Sequence, residues 1–394
     1  MCNVALLEGL NVLDMSSVIT GPSAAAMLAD LGASVIKIEP PGGGDPFRSW
    51  ESSGERIRPS FAAFNRGKRS IVLDVKDPEG REIYASFAKN ADVVIENYRP
   101  GRMDKLGIGW KDLHRINPKL VYCHITGRGS TGPDANQPTY DSVAQALSGL
   151  WSQFTDLSNP EPVGPPMSDQ LTAMYACIAI LAGVQNCGRT GSGSLVEVDM
   201  LSASLAFSAL GVASTTWSGA VPTKTSRARN SQSYAFVAGD GLPFAVHLST
   251  PHKFWVGLCT TIERVDLIDD TRFKTKALRI ENYDILKEVL GGIFSGGTRD
   301  LWLDSLIGAD VPAAPILTVA EAIETPQVLA KQLIAMDAPG AGRGLVRSPI
   351  MVDGGHCAAE LPPPLLGEHT EALLSELGKD AKQIRSLRQS GTVA

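Results

Sequence analysis

The chain has no CxxC pair among its six cysteines and no HxxxH or HExxH spacing among its six histidines. Its first βα turn, SSVITGP, lacks the GxGxxG pattern, and the chain lacks the GxxxxGK[ST] and GxSxG motifs. Each absence excludes a chemistry. Cysteines scattered at 2, 123, 177, 187, 259 and 357 in a chain of 394 residues read as reduced thiols filling the core of a cytoplasmic protein. The histidine spacing gives no zinc site, and no metal is expected. The missing fingerprint in that first turn weighs against a nicotinamide or flavin cofactor, and without a P-loop there is no support for nucleotide hydrolysis. The missing elbow argues against a Ser-His-Asp triad. No unbroken run of 18 apolar residues occurs, so no membrane span is expected. The start, MCNVALLEGLNVLDM, has no basic segment and carries Glu8 and Asp14, so it does not read as a signal peptide. A net charge of −6 argues against a nucleic-acid partner.

What is present is an alternation of strand and helix patterns. Residues 10–15 (LNVLDM) read as a buried strand, 23–31 as a helix entered through Pro22 and stopped by Gly32, and 33–39 (ASVIKIE) as a second strand. Further strands are predicted at 69–75, 91–97 and 120–126, with a helix at 78–89. Such βαβ units imply a parallel sheet with right-handed crossovers, whose ligands bind at the carboxyl ends of the strands. Three loops fall there: SSVITGP, PPGGGDPFRSW and NYRPGRMDKLG. Helices are predicted at 140–150, 169–186 and 201–217, the last after a strand at 195–200. The polar stretch VPTKTSRARN reads as a linker, and Asp240-Gly241 sits between strand-like runs as a hairpin turn. The expected organisation is a Rossmann-like α/β large domain over 1–227 and a smaller α+β domain over 228–330. Residues 331–394 carry a Pro-rich run, LPPPLL, and a helix ending near Gly378.

Few side chains stand out chemically. Asp169 opens an amphipathic helix, where an aspartate serves as an N-cap. The helix dipole would keep such a carboxylate ionised at neutral pH and available as a nucleophile toward an activated acyl group. Arg66, Lys68 and Arg69 form one basic cluster and Arg99, Arg102 and Lys105 another. Either reads as a solvated face or as a partner for the phosphates of a bulky anionic ligand. Residue types and spacing thus give an α/β enzyme or binding protein for an anionic ligand, and no reaction.

The segments LEGLNVLDMSSVITGPSAAAMLADLGASVIKIEPPGGGDPFR, FNRGKRSIVLDVKDPEGRE, ADVVIENYRPG, YDSVAQALSGL, DQLTAMYACIAILAG, RTGSGSLVEVDML and LLGEHTEALLSELG, taken in order, resemble the class III CoA-transferases, which include formyl-CoA and carnitine CoA-transferases. The resemblance implies two intertwined ring-like subunits in a homodimer. Each has a Rossmann-like domain completed by the returning C-terminal segment. It implies that CoA moves from an acyl-CoA thioester to a free carboxylic acid through an aspartyl anhydride and an aspartyl-CoA thioester. The family nucleophile falls on Asp169. Coenzyme A contacts fall on Asn97 and Tyr98 toward the adenine, on Lys105 for a phosphate, on Leu106 for an apolar adenine contact, and on the aromatic Tyr140 near the thioester. Ile19 and Asp141 fall at the acyl site.

Two departures bear on substrate. Formyl-CoA transferase carries a glutamine where this chain has Ile19, and its glycine-rich lid has no counterpart here; both point away from formate and oxalate, and short dicarboxylates are the substrates expected. An acyl-CoA racemase of the same fold is the first alternative. It needs a histidine and a glutamate as its acid/base pair at positions that match Tyr140 and Thr250 here, so that reading lacks its chemistry. A non-catalytic CoA-binding subunit is the second, against which Asp169 stands.

Overall fold

The computed structural model describes residues 4–52, 56–249, 251–335, 344–359 and 361–394; Thr250 and Cys2 therefore lie outside the described residues. The contacts divide the chain into two units. The first comprises Met1–Trp151, Pro162–Ala209 and Lys331–Ala394, the second Ser152–Glu161 and Leu210–Ala330. The second unit thus starts before the boundary expected at 227/228.

In the first unit the elements run β1 (Asn11–Asp14), α1 (Thr20–Asp30), β2 (Ser34–Glu39), α2 (Pro59–Asn65), β3 (Lys68–Val72), α3 (Pro78–Lys89) and β4 (Val93–Glu96). They continue as α4 (Arg102–Lys105), α5 (Trp110–Ile116), β5 (Val121–Thr126), α6 (Asp141–Leu147), α7 (Met167–Thr190), β6 (Ser194–Asp199) and α8 (Met200–Phe207). The six strands form one parallel sheet in the order β3-β2-β1-β4-β5-β6. This is the doubly wound order, reached without a glycine fingerprint in the first βα turn.

Alternation along each strand supplies both faces. Val12, Val35, Val93 and Val121 face α1 and α7, where Ala24, Ala25, Ala173 and Ala176 are small enough for close helix–sheet contact. Leu13, Ile38, Val94 and Tyr122 face the opposite way, onto Ile83, Tyr84 and Phe87 of α3. Residues 361–394 pack on that second face through Leu373, Leu374, Ile384 and Leu387. They also close the β3 edge: the His369 N–H donates to Ser70, the Asp74 N–H to Thr392, and Leu73 bridges Val393. The helix α7 has a mean hydropathy of 1.4 over its most apolar 18 residues, enough by length and composition to cross a membrane. Polar residues interrupt it, so no unbroken apolar run marks it in the sequence. One face of it packs against α1, β5 and β6, and 33% of that 18-residue stretch is buried.

The helix expected over 201–217 is broken at Ser208 into α8 and α9 (Ala209–Ser218). The linker read at 221–230 holds a short helix, α10 (Ser226–Ser231). The second unit is built on the antiparallel sheet β7 (Ser233–Val237), β8 (Pro243–His247) and β9 (Ala313–Pro315). Gly241, at φ +81°, turns the β7–β8 hairpin. Its core gathers Trp255, Phe273 and Phe294, and includes Arg279, whose Nε donates to Gln232 Oε1 at 2.6 Å.

Candidate active site

A parallel sheet of this order has its switch point between β1 and β4, where the following loops run to opposite faces and leave a crevice. Asn97 bridges it. Its Oδ1 accepts the Ser17 N–H at 2.9 Å, and its Nδ2 donates to the Ser17 carbonyl at 2.8 Å and to Thr20 Oγ1 at 3.1 Å. A cavity of about 280 Å³ opens at this point. Of the residues expected at the site, Ile19, Asn97, Tyr98, Tyr140 and Asp169 all line it. Leu106 does not. It lines a second cavity of about 200 Å³, with Leu73, Lys76, Tyr98 and Arg102. Tyr98 is common to both. Lys105 is exposed and lines neither; Arg102, one helical turn earlier, is the cation that α4 turns toward the second cavity.

The first βα turn is set by buried charges. The Lys68 ammonium donates to Asp14 Oδ2 at 2.7 Å, to Asn65 Oδ1 at 2.8 Å and to the Pro22 carbonyl at 2.9 Å, which uses all three of its hydrogens. The cluster Arg66-Lys68-Arg69 is therefore neither a solvated face nor a phosphate site. Lys68 is fully buried, Arg66 is bound to Asp30, and Arg69 pairs with Glu376. Lys37 donates to the Ser16 carbonyl at 3.0 Å and pairs with Asp45 at 2.9 Å. Asp45 in turn accepts the Val18 N–H at 3.2 Å. Val18 has φ +70°, a left-handed conformation costing a β-branched residue roughly 1–2 kcal/mol. Burial alone would raise the Asp14 carboxyl, but Lys37 and Lys68 outweigh it and hold the group at about 2.

Asp169 is not the N-cap of α7. The helix starts two residues earlier, with Pro166 as its cap, and Asp169 lies in the first turn. Its N–H donates to Asp141 Oδ1 at 3.2 Å, and Gln145 Nε2 donates to Asp141 Oδ2 at 2.5 Å. Asp141 thus stands behind Asp169, outside the lining of the cavity. Among the described residues, no donor reaches the Asp169 carboxyl oxygens. Burial first, and then the charge of Asp141, push that carboxyl up to about 7. The expectation that the helix dipole would keep it firmly ionised is corrected: desolvation and a like charge exceed that effect here.

Gln145, buried on α6, was not singled out in the sequence; a glutamine one turn after Asp141 was the available signal. Glu96 was missed too. Its carboxyl is buried under Tyr98 and lifted to about 7, chiefly by burial. Among the described residues, no group of three or more His, Cys, Asp or Glu side chains is placed to hold a metal ion.

The family model described as CoA-transferase family III matches residues 7–370. The human protein named succinyl-CoA:glutarate CoA-transferase is 35% identical over an alignment of 402 positions, covering 100% of this chain and 91% of that protein. The acetyl-CoA:oxalate CoA-transferase of Acetobacter aceti is 36% identical, covering 94% of this chain and 95% of its own. The crystal structure of a CAIB/BAIF family protein from Brucella suis superposes with a TM-score of 0.84 at 34% identity, covering 95% of this chain and all of that one. The chain belongs to CoA-transferase family III and is a CoA-transferase.

Proposed function

We propose that the chain moves CoA between dicarboxylic acids with Asp169 as nucleophile, and the observation that carries this is the Asp169 carboxyl lifted to about 7 on the wall of the switch-point cavity. A carboxylate of that basicity lies closer to a thiol, ordinarily near about 8.5, than an ordinary aspartate does. Exchange between carboxyl oxygen and sulfur is then more evenly balanced in energy. One Asp169 oxygen attacks the thioester carbonyl; the C–S bond breaks, leaving a mixed anhydride and CoA thiolate. The thiolate attacks the Asp169 carbonyl carbon and expels the donor acid, giving an aspartyl-CoA thioester. The acceptor carboxylate attacks that carbonyl and releases the thiolate again. The thiolate then takes the acceptor's acyl carbon and restores Asp169. Each step exchanges one acyl bond for another. Water must be kept from the anhydride.

Ile19 and Tyr140 give the cavity apolar walls around the reacting carbon, and Arg99 is the one cationic side chain among its described lining residues, available to a remote carboxylate or a phosphate. The second cavity, with Leu73, Leu106 and Arg102, suits the nucleotide end of CoA. The relatives named for glutarate and succinate favour dicarboxylic substrates, and the one named for oxalate, itself a dicarboxylic acid, runs against the expectation that set oxalate aside. The same proposal takes the protein to be a cytoplasmic homodimer. Exposed apolar side chains one turn apart on α7, Met174 and Ile178, would be covered by a second copy. Light scattering tests that.

The experiment for the mechanism is incubation with an acyl-CoA followed by mass spectrometry. A hydroxylamine-sensitive adduct on the peptide carrying Asp169 is expected. Turnover without any adduct, or with normal rate in Asp169→Ala, overturns it.

A further inference from the structure

Glu96, the last residue of β4, stands opposite His124 of β5. Between them they hold the Tyr98 peptide at both ends. Its N–H donates to Glu96 Oε2 at 2.7 Å, and its carbonyl oxygen lies 3.3 Å from His124 Nε2, which is also 3.5 Å from Glu96 Oε1. The other ring nitrogen, Nδ1, is 3.3 Å from Ser130 Oγ and 3.7 Å from Glu197 Oε1, and the Ser130 hydroxyl donates to Glu197. The Tyr98 carbonyl accepts only, so a hydrogen on Nε2 donates to it, while Nδ1 meets the Ser130 hydroxyl on the other side of the ring.

This places one side chain between two walls of the first cavity. On one side is the loop after β4, whose Tyr98 also lines the second cavity; on the other is the segment after β5, which contains Ser130 and supplies Ala135, Gln137 and Thr139 to the lining. The ring itself lines neither cavity. We propose that His124 is a positioning residue for CoA transfer: it ties these two loops together and, through the Tyr98 carbonyl, fixes the junction of the two cavities. The inference rests on the reading that these cavities hold the acyl-CoA.

Glutamine places a donor near the position of Nε2, asparagine near that of Nδ1, and alanine places none. His124→Ala should raise the KM for acyl-CoA about tenfold, with kcat within about threefold, because ligand placement is lost while the nucleophile stays. His124→Gln should recover most of that loss and His124→Asn less. Hydrogen exchange in peptides covering 97–106 and 127–140 should quicken together in His124→Ala. Unchanged KM across the three variants, equal recovery by Asn and Gln, or faster exchange in 127–140 alone each overturns the proposal. If the alanine variant does not fold, the Gln/Asn contrast decides. The Asp169 adduct separates the two readings. An adduct in the wild type with unaltered His124 variants refutes the positioning role alone, whereas no adduct refutes the mechanism and leaves the KM series to judge His124 as a ligand-site residue.

Discussion

Two clusters of carboxyl groups, one buried and one half-buried, flank the switch-point cavity, and they differ in their company. Around β1 and β2, Asp14, Glu39 and Asp45 meet Lys37, Lys68 and Arg48. At the head of α7, Asp169 and Asp141 meet an amide N–H and a glutamine, and no described residue forms an ion pair with either. The same residue type is held at about 2 in the first case and pushed to about 7 in the second. Burial acts upward on both. The cations decide, and their absence marks the cluster suited to chemistry while their presence marks the one that shapes a turn.

The sharpest test of this contrast is Asp169→Ala, which should abolish transfer, measured as thioester exchange between two acids, while leaving the melting transition in place. Next, Lys68→Met would make the first cluster resemble the second by leaving Asp14 with a more distant lysine. Breaking a buried pair from one side should cost about 3–5 kcal/mol in urea unfolding, and Lys68→Met combined with Asp14→Asn should recover part of it.

The two clusters also give opposite pH slopes. Asp14 binds its proton less readily folded than unfolded, so its contribution to stability is present above about 4 and is lost as pH falls toward 2. Asp169 binds its proton more readily folded, so stability falls as pH rises from about 4 to about 7. Asp169→Asn should flatten that second slope in unfolding measured across pH. In single turnover, adduct formation should rise as pH passes about 7, and Asp141→Asn should move the midpoint toward the ordinary carboxylate range; an unmoved midpoint would remove Asp141 from the account. The smallest effects belong to the exposed cations. Arg102→Ala should raise the KM for acyl-CoA several-fold, and Lys105→Ala about twofold, with kcat near wild type in both.

Local patterns carried much of the fold. The helix Pro78–Lys89 is marked in the sequence by an aspartate before a proline, and Asp77 does cap it, accepting the N–H groups of Glu79 and Gly80. Strand positions followed from apolar runs between turn residues. What escaped depended on partners distant in sequence. Lys68 reads as one of three surface cations until Asp14, 54 residues away, is folded onto it. The break at Ser208 lies in an apolar stretch without a proline, and its one glycine, Gly211, stands three residues past the break. At the site, Asp169 was legible because its helix is long and the surrounding segments resemble a family; its place inside the first turn and its basicity were not, since the first follows from a helix that starts at Met167 and the second from burial and then the charge of Asp141.

The bridge between Leu73 and Val393 has a consequence for biosynthesis. During translation the flank of β3 stays bare until residue 393 has left the ribosome, because the segment that covers it is made last of all these elements. An uncovered strand flank is a template for sticking to neighbouring chains. A nascent chain stalled or cut before residue 361 would carry nearly every group needed for chemistry and still be a client for chaperones rather than an enzyme.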